Sequence, residues 1–194
     1  MIIAVVGGDA SSGPSSTALT QAEAVGAEIA RRGALLICGG RGGVMEAACR
    51  GAGEAGGITI GVLPGRDRAE MNPYVQIPIV TGMSEARNAI IALSADAVIA
   101  IDGEYGTLSE IALALAHGRP VAGIGTWSLS KDGAEAPIYR TEDPVDAVRW
   151  AIAEVESRDR QMPPALRRRI GSKTGEHAAQ VQRTEQWLTT ESPP

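Results

Sequence analysis

The sequence predicts an α/β protein: a doubly wound, Rossmann-like open parallel sheet with helices on both faces. Three observations lead there. Short apolar runs alternate with segments of helical period, glycine-rich loops sit where runs feed helices, and the apolar residues are small. Apolar types make up 44% of the 194 residues, yet Phe is absent and aromatics total 3%. A core limited to Ala, Val, Ile and Leu suits a parallel sheet buried on both faces beneath close-packed helices. A chain of this length buries a sizeable core without disulfides or metals to staple it.

Ile2–Val6 reads as the first buried strand, and the loop Gly7-Gly8-Asp9-Ala10-Ser11-Ser12-Gly13 leads from it to a helix over Thr17–Arg32 that stops at Gly33. Leu35–Cys38 is the next strand, and Val44–Ala55 the next helix. Ile58–Leu63 and Val75–Val80 read as strands, Ser84–Ala95 as a helix, and Ala97–Ile101 as a strand. A helix over Thr107–His117 ends at Gly118-Arg119-Pro120 and feeds a strand at Val121–Ile124. Val145–Glu156 places Val145, Val148, Ile152 and Val155 on one stripe and closes the domain. The expected Rossmann-like phosphate-binding domain therefore covers 1–156. Residues 157–194 hold Met162-Pro163-Pro164, Arg167-Arg168-Arg169, Trp187 and a Ser192-Pro193-Pro194 end, and are expected to form an extension, partly helical or disordered.

A net charge of −5 lacks the basic footprint of a protein that grips nucleic-acid backbone, so no nucleic-acid partner is expected. Cys38 and Cys49 have no C-x-x-C spacing and read as free thiols. No apolar stretch approaches the roughly 20 residues of a membrane span, and Met1 leads straight into an apolar run with no charged leader region, so no membrane association and a cytoplasmic location are expected.

Ligands of such sheets settle beyond the carboxyl ends of the strands. Gly39, Gly40, Gly42 and Gly43 flank Arg41 between a strand and a helix, which permits positive φ and close approach of a ligand to backbone N–H groups at a helix N-terminus. The competing reading is a tight turn that packs helix against strand. The arrangement repeats in Gly103-Glu104-Tyr105-Gly106-Thr107, so the two loops and Gly8 are candidate contacts for one small phosphorylated ligand. The lysine of G-x-x-x-x-G-K-[ST] is missing and G-x-G-x-x-G spacing does not occur, which places P-loop and NAD-dehydrogenase chemistry low. Glu110 follows Thr107 by three residues; the pair reads as a capping box, with Thr107 as N-cap, and Glu110 can still face a ligand. With Ser84 as N-cap, Arg87 falls in a first helical turn, where a cation costs about 0.3–1 kcal/mol against the helix dipole. A guanidinium placed against that rule reads as a phosphate or carboxylate ligand.

These residues resemble the superfamily named for cytokinin-activating phosphoribohydrolases, often labelled "lysine decarboxylase-like", and within it the branch that includes molybdenum cofactor carrier proteins. The resemblance spans Ile2 to about Glu156 and is carried by Gly39 to Glu46, Asn72-Pro73-Tyr74-Val75, Thr81 to Asn88, and Gly103 to Glu110. In the hydrolases a P-G-G-x-G-T-x-x-E motif supplies phosphate-binding glycines and an essential glutamate, preceded by an Arg-Lys pair. Gly103, Gly106, Thr107, Glu110 and Arg87 match it; Asp102 stands for the proline, Glu104 for the second glycine and Asn88 for the lysine.

The resemblance implies a binding protein or carrier for a molybdenum cofactor-like or nucleotide-like ligand, assembled as a homodimer or homotetramer, with no further cofactor required. The alternative it implies is a phosphoribohydrolase that cleaves the N-glycosidic bond of nucleoside 5′-monophosphates, with Arg87 and Glu110 catalytic. Glu104 and Asn88 weaken the hydrolase reading more than the binding one. Pyridoxal-phosphate decarboxylation is disfavoured, because the only lysines, Lys131 and Lys173, lie outside the glycine loops. His117 and His177 have no metal-ligand spacing, and no metal is expected.

Overall fold

The computed structural model describes residues 1–161. The expected extension lies, from residue 162 onward, outside the described residues, and residues 1–155 form one compact unit. Its strands are β1 (Ile2–Gly7), β2 (Leu35–Cys38), β3 (Thr59–Leu63), β4 (Ile77–Val80), β5 (Ala97–Ile101), β6 (Val121–Ile124), β7 (Ser130–Lys131), β8 (Ala134–Glu135) and β9 (Ile138–Arg140). The helices are α1 (Ser16–Arg31), α2 (Val44–Glu54), α3 (Asn88–Ser94), α4 (Tyr105–Ala116) and α5 (Pro144–Gln161).

Seven strands form one sheet in the order β4-β3-β2-β1-β5-β6-β9, every neighbouring pair parallel. The doubly wound Rossmann-like architecture is the one the alternating pattern predicts. Alternation along β1 divides the core: Ile3 and Val5 pack with residues of α1, α2 and α5, whereas Ala4 and Val6 pack with residues of α3 and α4. The chain builds β2, β3 and β4 outward on one side of β1, then returns to lay β5 on the other. The carboxyl ends of β1 and β5 therefore flank the topological switch point.

Several boundaries differ from the sequence expectation, each for a local reason. The strand expected from Val75 begins at Ile77, because the Thr59 hydroxyl donates to the Tyr74 carbonyl (2.6 Å) and accepts from Gln76 N–H (3.0 Å), which takes this stretch out of the ladder. The helix expected from Ser84 is a 3-10 turn over Ser84–Arg87 followed by α3. Ser84 has φ +49° and its hydroxyl bonds to Glu85, so it is not the N-cap of α3. The capping box at Thr107 does not form either: α4 starts two residues earlier, with Glu104 at its N-cap and Thr107 buried inside its first turn. The strand β9 and the β7–β8 hairpin, which turns at Asp132 and Gly133 with φ +53° and +78°, escape periodicity because they are two or three residues long.

Helices α1 and α2 touch through their backbones. A Cβ on Gly26 would lie 1.9 Å from the Ala48 carbonyl oxygen, and one on Gly51 would lie 2.0 Å from that of Glu23. Cys38 and Cys49 are free and buried, with sulfurs 3.4 Å apart. Among the described residues, no helix is long and apolar enough to cross a membrane.

The two glycines predict opposite outcomes from Gly53, whose Cβ would meet nothing within 4 Å. Gly26→Ala and Gly51→Ala should each lower stability by at least about 1–3 kcal/mol in urea titration, because the backbones cannot separate without opening the core. Gly53→Ala should raise it by about 0.5–1 kcal/mol through helix propensity.

Candidate functional site

At the switch point, the ends of β1 and β5 approach so closely that a Cβ on Gly7 would lie 2.4 Å from the Ile101 carbonyl oxygen. A cleft of about 440 Å³ opens above them. Its walls are Gly7 at the end of β1 and Gly8, Asp9, Ser11 and Ser12 after it; Arg41 before α2 and Met45 in its first turn; Pro64 after β3; Ser84, Glu85, Arg87 and Asn88 before and at the start of α3; and Glu104, Gly106, Thr107 and Glu110 on the α4 side.

The loop after β1, which reads as an ordinary strand-to-helix connection, thus supplies four of the lining residues. It is held by Asp9, whose Oδ1 accepts from the Ser11 N–H and hydroxyl (2.8 Å each) and whose carbonyl accepts from the Ser12 hydroxyl (2.7 Å). Partial burial works against the ionised carboxylate, but the Ser11 donors and the Arg41 and Arg87 charges outweigh it and hold Asp9 below its ordinary pKa. Arg41 bridges Asp9 (3.2 Å) and Glu70 (3.3 Å).

Gly39, Gly40, Gly42 and Gly43 do not line the cleft; Arg41 alone of that loop does. Gly43, at φ +69°, crosses the β1 loop where a Cβ would lie 2.4 Å from the Gly8 carbonyl oxygen, and that oxygen accepts the first α2 amide, from Val44 (2.9 Å). The N-terminus of α2 is therefore partly spent on the protein itself. Gly39 lies directly behind Arg87, and a Cβ there would fall 2.4 Å from Nη2. Asn72 fastens the loop from below: its amide N–H donates to the Gly40 carbonyl (2.9 Å) and its side-chain Nδ2 to that of Arg41 (2.9 Å). Asn72 is 4% exposed; the sequence marks it only as part of the Asn72-Pro73-Tyr74-Val75 resemblance, with no role attached.

The second glycine loop behaves differently. Asp102 (φ +52°) and Gly103 (φ +100°) turn the chain so that α4 starts at the switch point. Among the described residues no side chain caps this helix, and Gly106 and Thr107 of its first turn line the cleft. Its unpaired N–H groups and partial positive charge are thus available to an anion. Glu104 borders the same opening, while Tyr105 is 75% exposed and lies outside the lining.

Arg87 and Glu110 form a pair at the back, 8% and 6% exposed, with Nη1 donating to Glu110 Oε1 at 3.3 Å and to Asn88 Oδ1 at 2.8 Å. Asn88 Nδ2 donates to the Ser109 hydroxyl (2.9 Å) and the Gly106 carbonyl (3.3 Å), and the Ser109 hydroxyl donates to the same carbonyl (2.7 Å). Arg87 is therefore coupled through Asn88 to the first turn of α4. Among the described residues, Nε and Nη2 of Arg87 have no acceptor. Burial pushes the Glu110 carboxyl up to about 7, against the pull of Arg87, and also lowers the Arg87 pKa.

Two guanidiniums face four carboxylates in this cleft: Asp9, Glu85, Glu104 and Glu110. It is not a general sink for anions, and an anion gains most where the α4 amides and Arg87 converge. Among the described residues, no cluster of His, Cys, Asp and Glu could hold a metal ion.

A doubly wound parallel sheet of this kind is the fold of the cytokinin-activating phosphoribohydrolase superfamily, on its molybdenum cofactor carrier-like side. The chain belongs to the SLOG cluster4 family, whose model matches residues 1–149. It is 48% identical over 129 residues to an uncharacterised protein of Archaeoglobus fulgidus, a match covering 66% of this chain and 82% of that one. Among solved structures, it is similar to the molybdenum cofactor binding protein of Rippkaea orientalis, with 34% identity and a TM-score of 0.71 over 79% of this chain and 96% of that one. The molybdenum cofactor carrier protein of Chlamydomonas reinhardtii gives 38% identity and a TM-score of 0.70 over 80% and 98%.

Between the ordinary carboxyl pKa of 4.5 and about 7, folded Glu110 holds a proton that the unfolded chain releases, so its contribution to stability falls as pH rises through that window. Urea midpoints of Glu110→Gln should therefore decline less than those of the wild type between about pH 5 and 8. Parallel declines in the two proteins would show that Glu110 is not the titrating group.

Proposed function

We propose that this chain is a carrier that binds a small phosphorylated ligand, of molybdenum cofactor or nucleotide type, without breaking a bond in it. The observation that carries this reading is the convergence, in one cleft, of the uncapped N-terminus of α4 with a buried guanidinium that lacks acceptors at Nε and Nη2. A phosphate at the first turn of α4 meets the amides near Gly106 and Thr107, and Arg87 adds a charge-assisted contact that Gly39 leaves room for. The similarity to two structures described as molybdenum cofactor binding and carrier proteins supports the same reading. Self-association belongs to the proposal too: the edge strand β4 leaves Ile77, Ile79 and Val80 between 39% and 47% exposed, a surface that a second copy would cover.

Phosphoribohydrolase activity is the second reading, and one observation favours it. Glu110, held to about 7 by burial, is poised for proton transfer near neutral pH. Against it, Glu104 places a carboxylate beside the incoming phosphate, and Asn88 is bonded to Gly106 and Ser109 instead of offering a cation.

AMP and ribose 5-phosphate titrated calorimetrically into the wild type should bind stoichiometrically, and chromatography after prolonged incubation should show no free adenine. Arg87→Ala should weaken both ligands about 10-fold or more, with circular dichroism unchanged. Gly39→Ala, outside the cleft, should weaken them as well by displacing the guanidinium. Adenine release that Glu110→Ala abolishes would replace the carrier reading with the hydrolase.

A further inference from the structure

Beside the cleft lies a pair of aromatic rings in a chain that has few. Tyr105 and Trp127 sit with centroids 5.6 Å apart at 37° between planes. Tyr105 is 75% exposed, although it lies between Glu104 and Gly106, both of which line the cleft. A tyrosine needs neither exposure nor this position to start a helix, and its neighbours are already fixed without it.

Trp127 is fixed in place, and Tyr105 packs on it. The Trp127 indole N–H donates to the Glu104 carbonyl at 3.2 Å, and its ring packs partly on the core. Arg140 Nη2 donates to the Trp127 carbonyl (2.7 Å), and the Thr126 hydroxyl donates to the Asp102 carbonyl (2.6 Å). The loop after β6 and the turn after β5 are thereby tied together, and the shelf of two rings continues directly from the turn that starts α4.

We infer that Tyr105 and Trp127 form a stacking subsite for the planar heteroaromatic ring, of purine or pterin type, of the ligand whose phosphate sits at the first turn of α4. This rests on the phosphate-binding reading above and adds what that reading lacks, the residues that hold the ligand's organic part. A phosphate bound at Gly106 and Thr107 leaves the rest of its ligand beside Glu104, with the shelf at hand. Stacking on a preformed aromatic face is tolerant of ring identity and needs no polar complement. The carboxylate of Glu104, at the border between cleft and shelf, can accept from an exocyclic amino group or N–H on the ring edge, which purines such as guanine share with pterins.

The test compares GMP, which carries a ring, with ribose 5-phosphate, which does not, by calorimetry on the full chain. The wild type should bind GMP about 10-fold more tightly than ribose 5-phosphate. Tyr105→Ala should remove that preference and leave ribose 5-phosphate affinity unchanged, while Tyr105→Phe should keep it. Tryptophan emission should fall on addition of GMP but not of ribose 5-phosphate, because Trp127 lies beside the stacked ring. Equal affinity for the two ligands, or a GMP affinity indifferent to Tyr105→Ala, would overturn the subsite and leave the phosphate site standing. Failure of the wild type to bind either ligand would overturn both.

Discussion

Backbone packed directly against backbone is the constraint on which this structure rests. The helices α1 and α2 meet at Gly26 and Gly51, β1 meets β5 at Gly7, and the loops after β1 and β2 cross at Gly43. Each contact needs a residue without Cβ. The absence of Phe belongs to the same economy, since layers separated by Ala, Val and Ile stand closer than large aromatics permit. Close layers bring the loop ends together at the switch point, and the cleft is what remains between them.

Within that cleft, charge is handled by depth. Arg87 and Glu110 lie at the back, Asp9 and Arg41 at the side, and Glu85 and Glu104 toward solvent. The buried pair has an ambiguous protonation state near neutrality, because burial raises the Glu110 pKa and the adjacent guanidinium lowers it. An anion arriving at Arg87 competes with Glu110 for the same cation and is helped when Glu110 is neutral. In the carrier reading proposed above, a proton on Glu110 offsets the charge that a phosphate brings.

Much of the fold was legible because its signals are repetitive. Six strands and five helices follow from alternating apolar runs and glycine punctuation, and β2, β5 and β6 lie over the residues their runs indicate. What escaped was short or cooperative. β9 has three residues, and Ser84–Arg87 forms a 3-10 turn because Ser84 adopts a left-handed backbone that no periodicity encodes. For the site, Arg87 and Glu110 stood out as a rule-breaking cation and a motif glutamate, and the structure brings them to 3.3 Å. Of the loop 39–43 only Arg41 lines the cleft, because composition cannot distinguish a glycine that admits a ligand from one that admits another segment's carbonyl. Asn72 was legible as part of a motif but its role was not, because that role lies in two backbone carbonyls of a distant loop.

The contact between Gly39 and Arg87 has an evolutionary consequence. The glycine is kept small by a side chain far along the sequence, so selection on the two positions is shared. A lineage that loses the guanidinium leaves only the Met45 sulfur, 2.7 Å from the Cβ position, against a side chain at position 39, whereas one that keeps it must displace both. Among descendants of a common ancestor, the two positions should therefore vary together, and a residue with no place in the cleft lining carries a record of whether the cleft still holds its cation.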